Sequence, residues 1–144
     1  MKSKLVLTCV LVAVSLLLFA CSSAAPKQVS VESSCDDFTK THNITKEVQV
    51  NAGDSVNVTL CSNPSTGSSW SESAKISDQT VLQQTDHKFI APEAKPPLVG
   101  APGKEVWTFK TLKPGKSTVS VEYGQPWQGG QKAAWTFVLT VVAE

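Results

Sequence analysis

Outside an N-terminal apolar run, the side chains able to attack a carbonyl or hold a metal are few: Cys35 and Cys61, His42 and His87, and loop serines such as Ser65 and Ser68. A hydrolase would set one of those serines against a histidine oriented by an aspartate. The Gly-x-Ser-x-Gly turn that exposes such a serine is absent, and a lone histidine is usually solvent-exposed or structural. Catalysis is not expected. A zinc site could combine both cysteines with both histidines, but the 25 residues between Cys35 and Cys61 are unlike the short Cys pairs of zinc folds. In an oxidising compartment the two cysteines most simply pair with each other, the rival use being a thiol nucleophile. No metal and no cofactor is expected.

The compartment is read from the first residues. Met1-Lys-Ser-Lys4 is basic, and the apolar run of 15 residues from Leu5 to Phe19 is short for a membrane span and reads as an export signal. Its end, Leu18-Phe-Ala-Cys21, resembles the bacterial lipobox, in which the cysteine becomes the lipidated first residue of the mature chain. That resemblance implies a signal peptide over 1–20 and anchoring through Cys21 to the outer membrane or cell surface. Cleavage elsewhere would leave a secreted or periplasmic protein. Residues 21–34 are rich in Ser, Ala and Pro and read as a flexible membrane tether, which leaves 35–144 as one domain.

Charge excludes other partners. The full chain carries 13 Lys and 12 acidic residues; two lysines leave with the signal and there is no arginine, so the mature net charge is about −1. Nothing attracts nucleic acid electrostatically, and the bidentate clamp for phosphate or carboxylate is missing. A monomer is expected.

The elements that must position any site are strands. Period-two alternation predicts them over 46–50, 55–60, 68–73, 80–84 with an extension through 90, 105–111, 118–123 and 134–142. No segment sustains helical periodicity. Asn51-Ala-Gly-Asp54 and Lys113-Pro-Gly-Lys116 supply turns. The expected fold is all-β, an immunoglobulin-like antiparallel sandwich of about seven or eight strands. Val56, Val58 and Leu60 share one face, as do Trp135, Phe137, Leu139 and Val141; Trp70, Trp107 and Trp135 read as core. Trp127 stands apart in the loop Gly124-Gln-Pro-Trp-Gln-Gly-Gly130.

If strands run alternately up and down, the second, fourth and sixth connections share one pole. They are Cys61 to Gly67 (CSNPSTG), Ala91 to Gly103 (APEAKPPLVGAPG) and Gly124 to Lys132 (GQPWQGGQK), the three richest in Pro and Gly. Taken singly, the first is an ordinary hairpin loop. Long loops on one edge of a rigid sandwich, however, are how such folds meet partners.

Asn63-Pro-Ser-Thr-Gly67 resembles the NPTTG loop of chagasin-type inhibitors of papain-like cysteine peptidases, Gly100-Ala-Pro-Gly103 their GxGG loop, and Gln125-Pro-Trp127 their RPW loop. The order and strand context match over about 46–142. The resemblance implies a wedge of three loops whose first member enters the catalytic cleft while the others clamp either side. Asn63, Pro64, Ser65, Thr66, Gly67, Gly100, Ala101, Pro102, Gly103, Gln125, Pro126 and Trp127 would then touch the peptidase. Pro64 would keep Asn63 extended and Gly67 permit the return; Ser65 and Thr66 would be small enough to approach the catalytic atoms. Gly100 and Gly103 would let the backbone lie close to the cleft wall, and Trp127 would be the aromatic anchor. Gln125 replaces the family Arg, Ser65 the first Thr, and Pro102 interrupts the Gly loop, changes that bear on affinity and target range.

Two other readings use the same residues. A surface adhesin or glycan binder would stack a sugar on Trp127; a purely structural envelope lipoprotein would leave the loops idle. Inhibition of an active papain-like peptidase separates both from the wedge.

Overall fold

Ser55-Val-Asn-Val-Thr-Leu60 alternates polar and apolar residues, and in the computed structural model, which describes residues 25–93 and 100–144, every apolar member of that run is buried. The same logic builds nine strands: β1 Gln28–Ser33, β2 Asn43–Val50, β3 Ser55–Ser62, β4 Ser69–Trp70, β5 Lys75–Ile76, β6 Leu82–Ile90, β7 Gly103–Thr111, β8 Gly115–Gly124 and β9 Trp135–Ala143. One sheet has the order β1-β3-β7-β6, the other β2-β9-β8-β4 with β5 also on β8. Val56, Val58 and Leu60 of β3, Trp107 and Phe109 of β7, and Phe137, Leu139 and Val141 of β9 form the core. The sandwich is as expected. Trp70 and Trp107 are buried, whereas Trp135, the first residue of the interior strand β9, is only partly so.

Four features depart from the expectation. Residues 28–33, assigned to the membrane tether, form β1, so the ordered domain begins before Cys35. Two valines suffice, because Val29 and Val31 pack against the core while the backbone gains a full ladder on β3. Second, β1 pairs with β3 and β2 with β9 in parallel, so the sandwich is not purely antiparallel. Third, a helix, α1 (Cys35–Lys40), joins β1 to β2 across the gap between the sheets. Its six residues are too few to show periodicity. Ser34 and Asp37 form a capping box at its start, and Phe38 is its one buried side chain. Fourth, the expected strand 68–73 shortens to β4, and an unexpected short strand, β5, follows at Lys75–Ile76.

Cys35 of α1 and Cys61 of β3 form a disulfide across 26 residues of sequence. In the chain-entropy account a loop of that size contributes about 3 kcal/mol. It also removes both thiols from nucleophilic or zinc chemistry. The export signal and Cys21 lie outside the described residues.

At the pole where β3 begins, Asp54 accepts from the backbone N–H of Lys27 (2.8 Å) and of Asn51 (2.9 Å). Those bonds hold its carboxyl below the usual carboxylate range, with the Lys27 N–H the largest influence. A depressed pKa stabilises the fold above the ordinary value of about 4 and ceases to do so as pH falls through the folded-state value below it. The Tm difference between the native chain and Asp54→Asn is therefore expected to hold near neutrality and shrink below about pH 4. A difference that stays constant to pH 2, measured by thermal melts, would contradict this role for Asp54.

Candidate functional site

The first loop leaves β3 at Ser62, and Asn63 enters it with φ −127° and ψ 86°. Pro64, whose fixed φ suits a first helical position, starts a single 3₁₀ turn over Pro64–Thr66. Asn63 organises that turn with both of its oxygens. Its Oδ1 accepts from the N–H (3.2 Å) and hydroxyl (2.6 Å) of Ser65, and its carbonyl accepts from the Thr66 N–H (3.1 Å) and hydroxyl (2.7 Å). Gly67, at φ 77°, reverses the chain into β4. Residues 64–67 are all exposed. The turn is stiff and slim, as the residue types suggest, but both hydroxyls donate inward and only their lone pairs face out.

The other two expected loops close on this one. Asn63 Nδ2 donates to the Gly100 carbonyl (2.9 Å), and Gly100 has φ 82°, with the Ser65 hydroxyl 3.8 Å from where its Cβ would stand. Trp127 lays its ring against Gly67: a Cβ on that glycine would stand 2.8 Å from Cη2 of the indole. The tryptophan is nonetheless 49% exposed. Its loop is braced internally. The Gln131 N–H donates to Gln125 Oε1 (3.0 Å), the Gln125 N–H to the Gln131 carbonyl (2.7 Å), and the Lys132 ammonium to the Trp127 carbonyl (2.8 Å). Gln125 therefore turns its carbonyl into its own loop. Ser65, Gly100 and Trp127 thus stand together at one pole, the one predicted from parity.

Placement differs for one residue. Gly103 opens β7 and is buried; a side chain there would strike Phe89 and the Ile90 carbonyl, so its bare Cα serves internal packing rather than close approach to a cleft wall. Ala101 is partly buried and Pro102 and Pro126 are exposed on the rim. Residues 94–99 of the second loop lie outside the described set.

Tyr123 was not expected at the site. Its hydroxyl accepts from the Asn63 N–H (3.1 Å) and donates to the Asn63 carbonyl (3.2 Å), clamping the first loop to β8. The readable signal was an inward-facing tyrosine on β8 one residue before the third loop, since a buried phenol needs a partner. The residues of a hydrolytic triad are not brought together: Ser65 donates to Asn63, and His87 pairs with Glu105.

Comparison with known proteins agrees with this geometry. A profile described as "Chagasin family peptidase inhibitor I42" matches residues 49–141. The chain is 32% identical over 93 residues to chagasin of Trypanosoma cruzi, an alignment covering 63% of this chain and 82% of that protein. It is 28% identical over 96 residues to amoebiasin-2 of Entamoeba histolytica, covering 66% and 75%. Among solved structures it resembles the cysteine protease inhibitor EhICP2 of Entamoeba histolytica, with TM-score 0.63, 20% identity and 83% and 100% of the two chains covered. It also resembles PbICP-C, solved in complex with falcipain-2, with TM-score 0.60, 18% identity and coverages of 82% and 99%. Those structural likenesses speak to the sandwich. The profile spans well over half of the chain and runs from β2 to β9 through all three rim loops, and on that ground the chain belongs to the chagasin family of peptidase inhibitors.

Proposed function

We propose that this protein is a reversible inhibitor of papain-like cysteine peptidases and that the three-loop rim is the surface that enters the catalytic cleft. One observation carries the reading: Asn63 bonds across to Gly100 while Trp127 packs on Gly67, so the exposed Ser65-Thr66 tip is held between two flanking loops before any partner arrives. Pre-organisation of this kind lowers the ordering cost of binding. The tip is a 3₁₀ turn and not an extended strand, which does not present a peptide bond as a substrate does. Blockage without cleavage follows. The family is one of inhibitors, not enzymes, and a structural relative sits on falcipain-2.

Titration of active papain with residues 25–144 tests the proposal. Stoichiometric loss of activity that returns on dilution is expected. Full activity at micromolar excess would overturn it and favour the glycan-binding or structural readings. Trp127→Ala should weaken inhibition about 30-fold, equivalent to about 2 kcal/mol, as for an aromatic hot spot. Because half of the ring is in solvent, Tm should stay within about 2 °C; a large Tm loss would make Trp127 a structural residue.

The lipobox-like end of the signal supports lipidation at Cys21 and a place on the bacterial envelope. Strand β1 runs parallel to β3, so Gln28 lies at the pole opposite the rim. A chain anchored just before β1 would hold its loops away from the membrane. Mass spectrometry of the membrane fraction, before and after Cys21→Ala, tests the anchor: an unmodified mature N-terminus would refute it.

A further inference from the structure

The wedge leaves a buried charge on its own side of the sandwich unused. Glu105 on β7 is 4% exposed, and among the described residues no lysine is bonded to it. Its Oε1 accepts from the Ser62 hydroxyl at 2.7 Å and from the Trp70 N–H at 3.4 Å. Its Oε2 meets His87 Nε2 at 2.8 Å, and the imidazole rests on the Trp107 ring with centroids 4.8 Å apart. Ser62 is the last residue before Asn63, and Trp70 ends the short strand on which the first loop returns. A single carboxylate therefore spans both feet of that loop. Trp70 Nε1, donating to the Cys61 carbonyl at 2.8 Å, crosses the same gap one layer away.

We propose that Glu105 is a positioning residue for inhibition, stapling the two feet of the 63–69 loop so that its tip keeps the cleft-entering shape, with His87 as the group that holds the second carboxylate oxygen. The inference deepens the proposed function and rests on it only where a peptidase is involved. Burying a carboxylate is expensive unless every lone pair finds a donor, and here two of the partners, Ser62 and Trp70, are the two feet of the loop, which are otherwise tied together by the Trp70 Nε1–Cys61 bond one layer away. Releasing the staple lowers the fraction of molecules whose loop is ready to bind, and apparent affinity falls by that fraction.

The test compares Glu105→Leu, Glu105→Gln, Ser62→Ala and Thr111→Val. Glutamine keeps the acceptor oxygen, and Thr111→Val removes a buried polar group from the same strand at the opposite pole, where its hydroxyl serves Asn51 and Asp54. In the free protein, NMR order parameters of the 65–67 amides should be near 0.85 in the native chain, Glu105→Gln and Thr111→Val, and fall below about 0.6 in Glu105→Leu. Ser62→Ala, which leaves the other contacts intact, should lower them part of the way and covers the case in which Glu105→Leu does not fold. Against papain, the inhibition constant of Glu105→Leu should rise about 10-fold through slower association, with Glu105→Gln close to the native value. Unchanged order parameters in Ser62→Ala and in folded Glu105→Leu, or an equal drop in Thr111→Val, would overturn the staple. The relaxation measurements need no peptidase, so a failure to inhibit papain sinks the wedge and leaves this test standing.

Discussion

Gly67→Val is expected to raise the inhibition constant against papain by two orders of magnitude or more. Gly67 sits at φ 77°, a left-handed conformation that costs an ordinary residue about 1–2 kcal/mol and a β-branched one more. Its missing side chain is also the space that Trp127 occupies, since a Cβ there would overlap the indole edge at 2.8 Å. The substitution therefore disturbs the tip and its aromatic flank together. Distortion of the turn and loss of a hot-spot contact worth about 2 kcal/mol together reach about 3 kcal/mol, which is two powers of ten. The same change at Gly53, φ 92° with open space around it and at the other pole, meets the backbone cost alone. Gly53→Val should lose stability and keep its potency. Equal potency of Gly67→Val and the native chain in a papain titration would remove the first loop from the interface.

Phe38→Ala is expected to be the most destabilising single truncation near the rim, at about 3–5 kcal/mol. Phe38 has no exposed surface and sits 5.1 Å, centroid to centroid, from both Trp70 and Trp135. It is the plug that α1 inserts where the two sheets part, and the Cys35–Cys61 bridge prevents the helix from moving in to fill the void. A fall in Tm of about 10–20 °C follows for a domain of this size. Urea unfolding should give a matching loss, and a change below about 1 kcal/mol would mean that the helix is an appendage.

The contrast between those two sites shows what was legible. The alternation in β3, β7 and β9 names its own buried face, because side-chain direction in a strand depends only on parity. The turns at Asn51-Ala-Gly-Asp54 and Lys113-Pro-Gly-Lys116 follow from local backbone preference. Parity of connections then puts the three Pro/Gly-rich loops at one pole, and the expectation of an oxidising compartment pairs Cys35 with Cys61, the bridge that is found. By contrast, β1 looked like tether because an edge strand with two valines has almost no periodic signal, and α1 is shorter than two turns.

By itself, then, the sequence determined a β-sandwich, its inward faces, its disulfide and the gathering of three Pro/Gly-rich loops at one pole, all properties set by strand parity, local turn preference or the small number of cysteines. Only the tertiary structure decided that Trp127 packs on Gly67, that Tyr123 clamps Asn63, and that Glu105 joins Ser62 to His87 and the Trp70 backbone. Each of those contacts joins residues at least 18 apart in the chain. Their geometry depends on strand register and the spacing of two sheets, which no local pattern encodes.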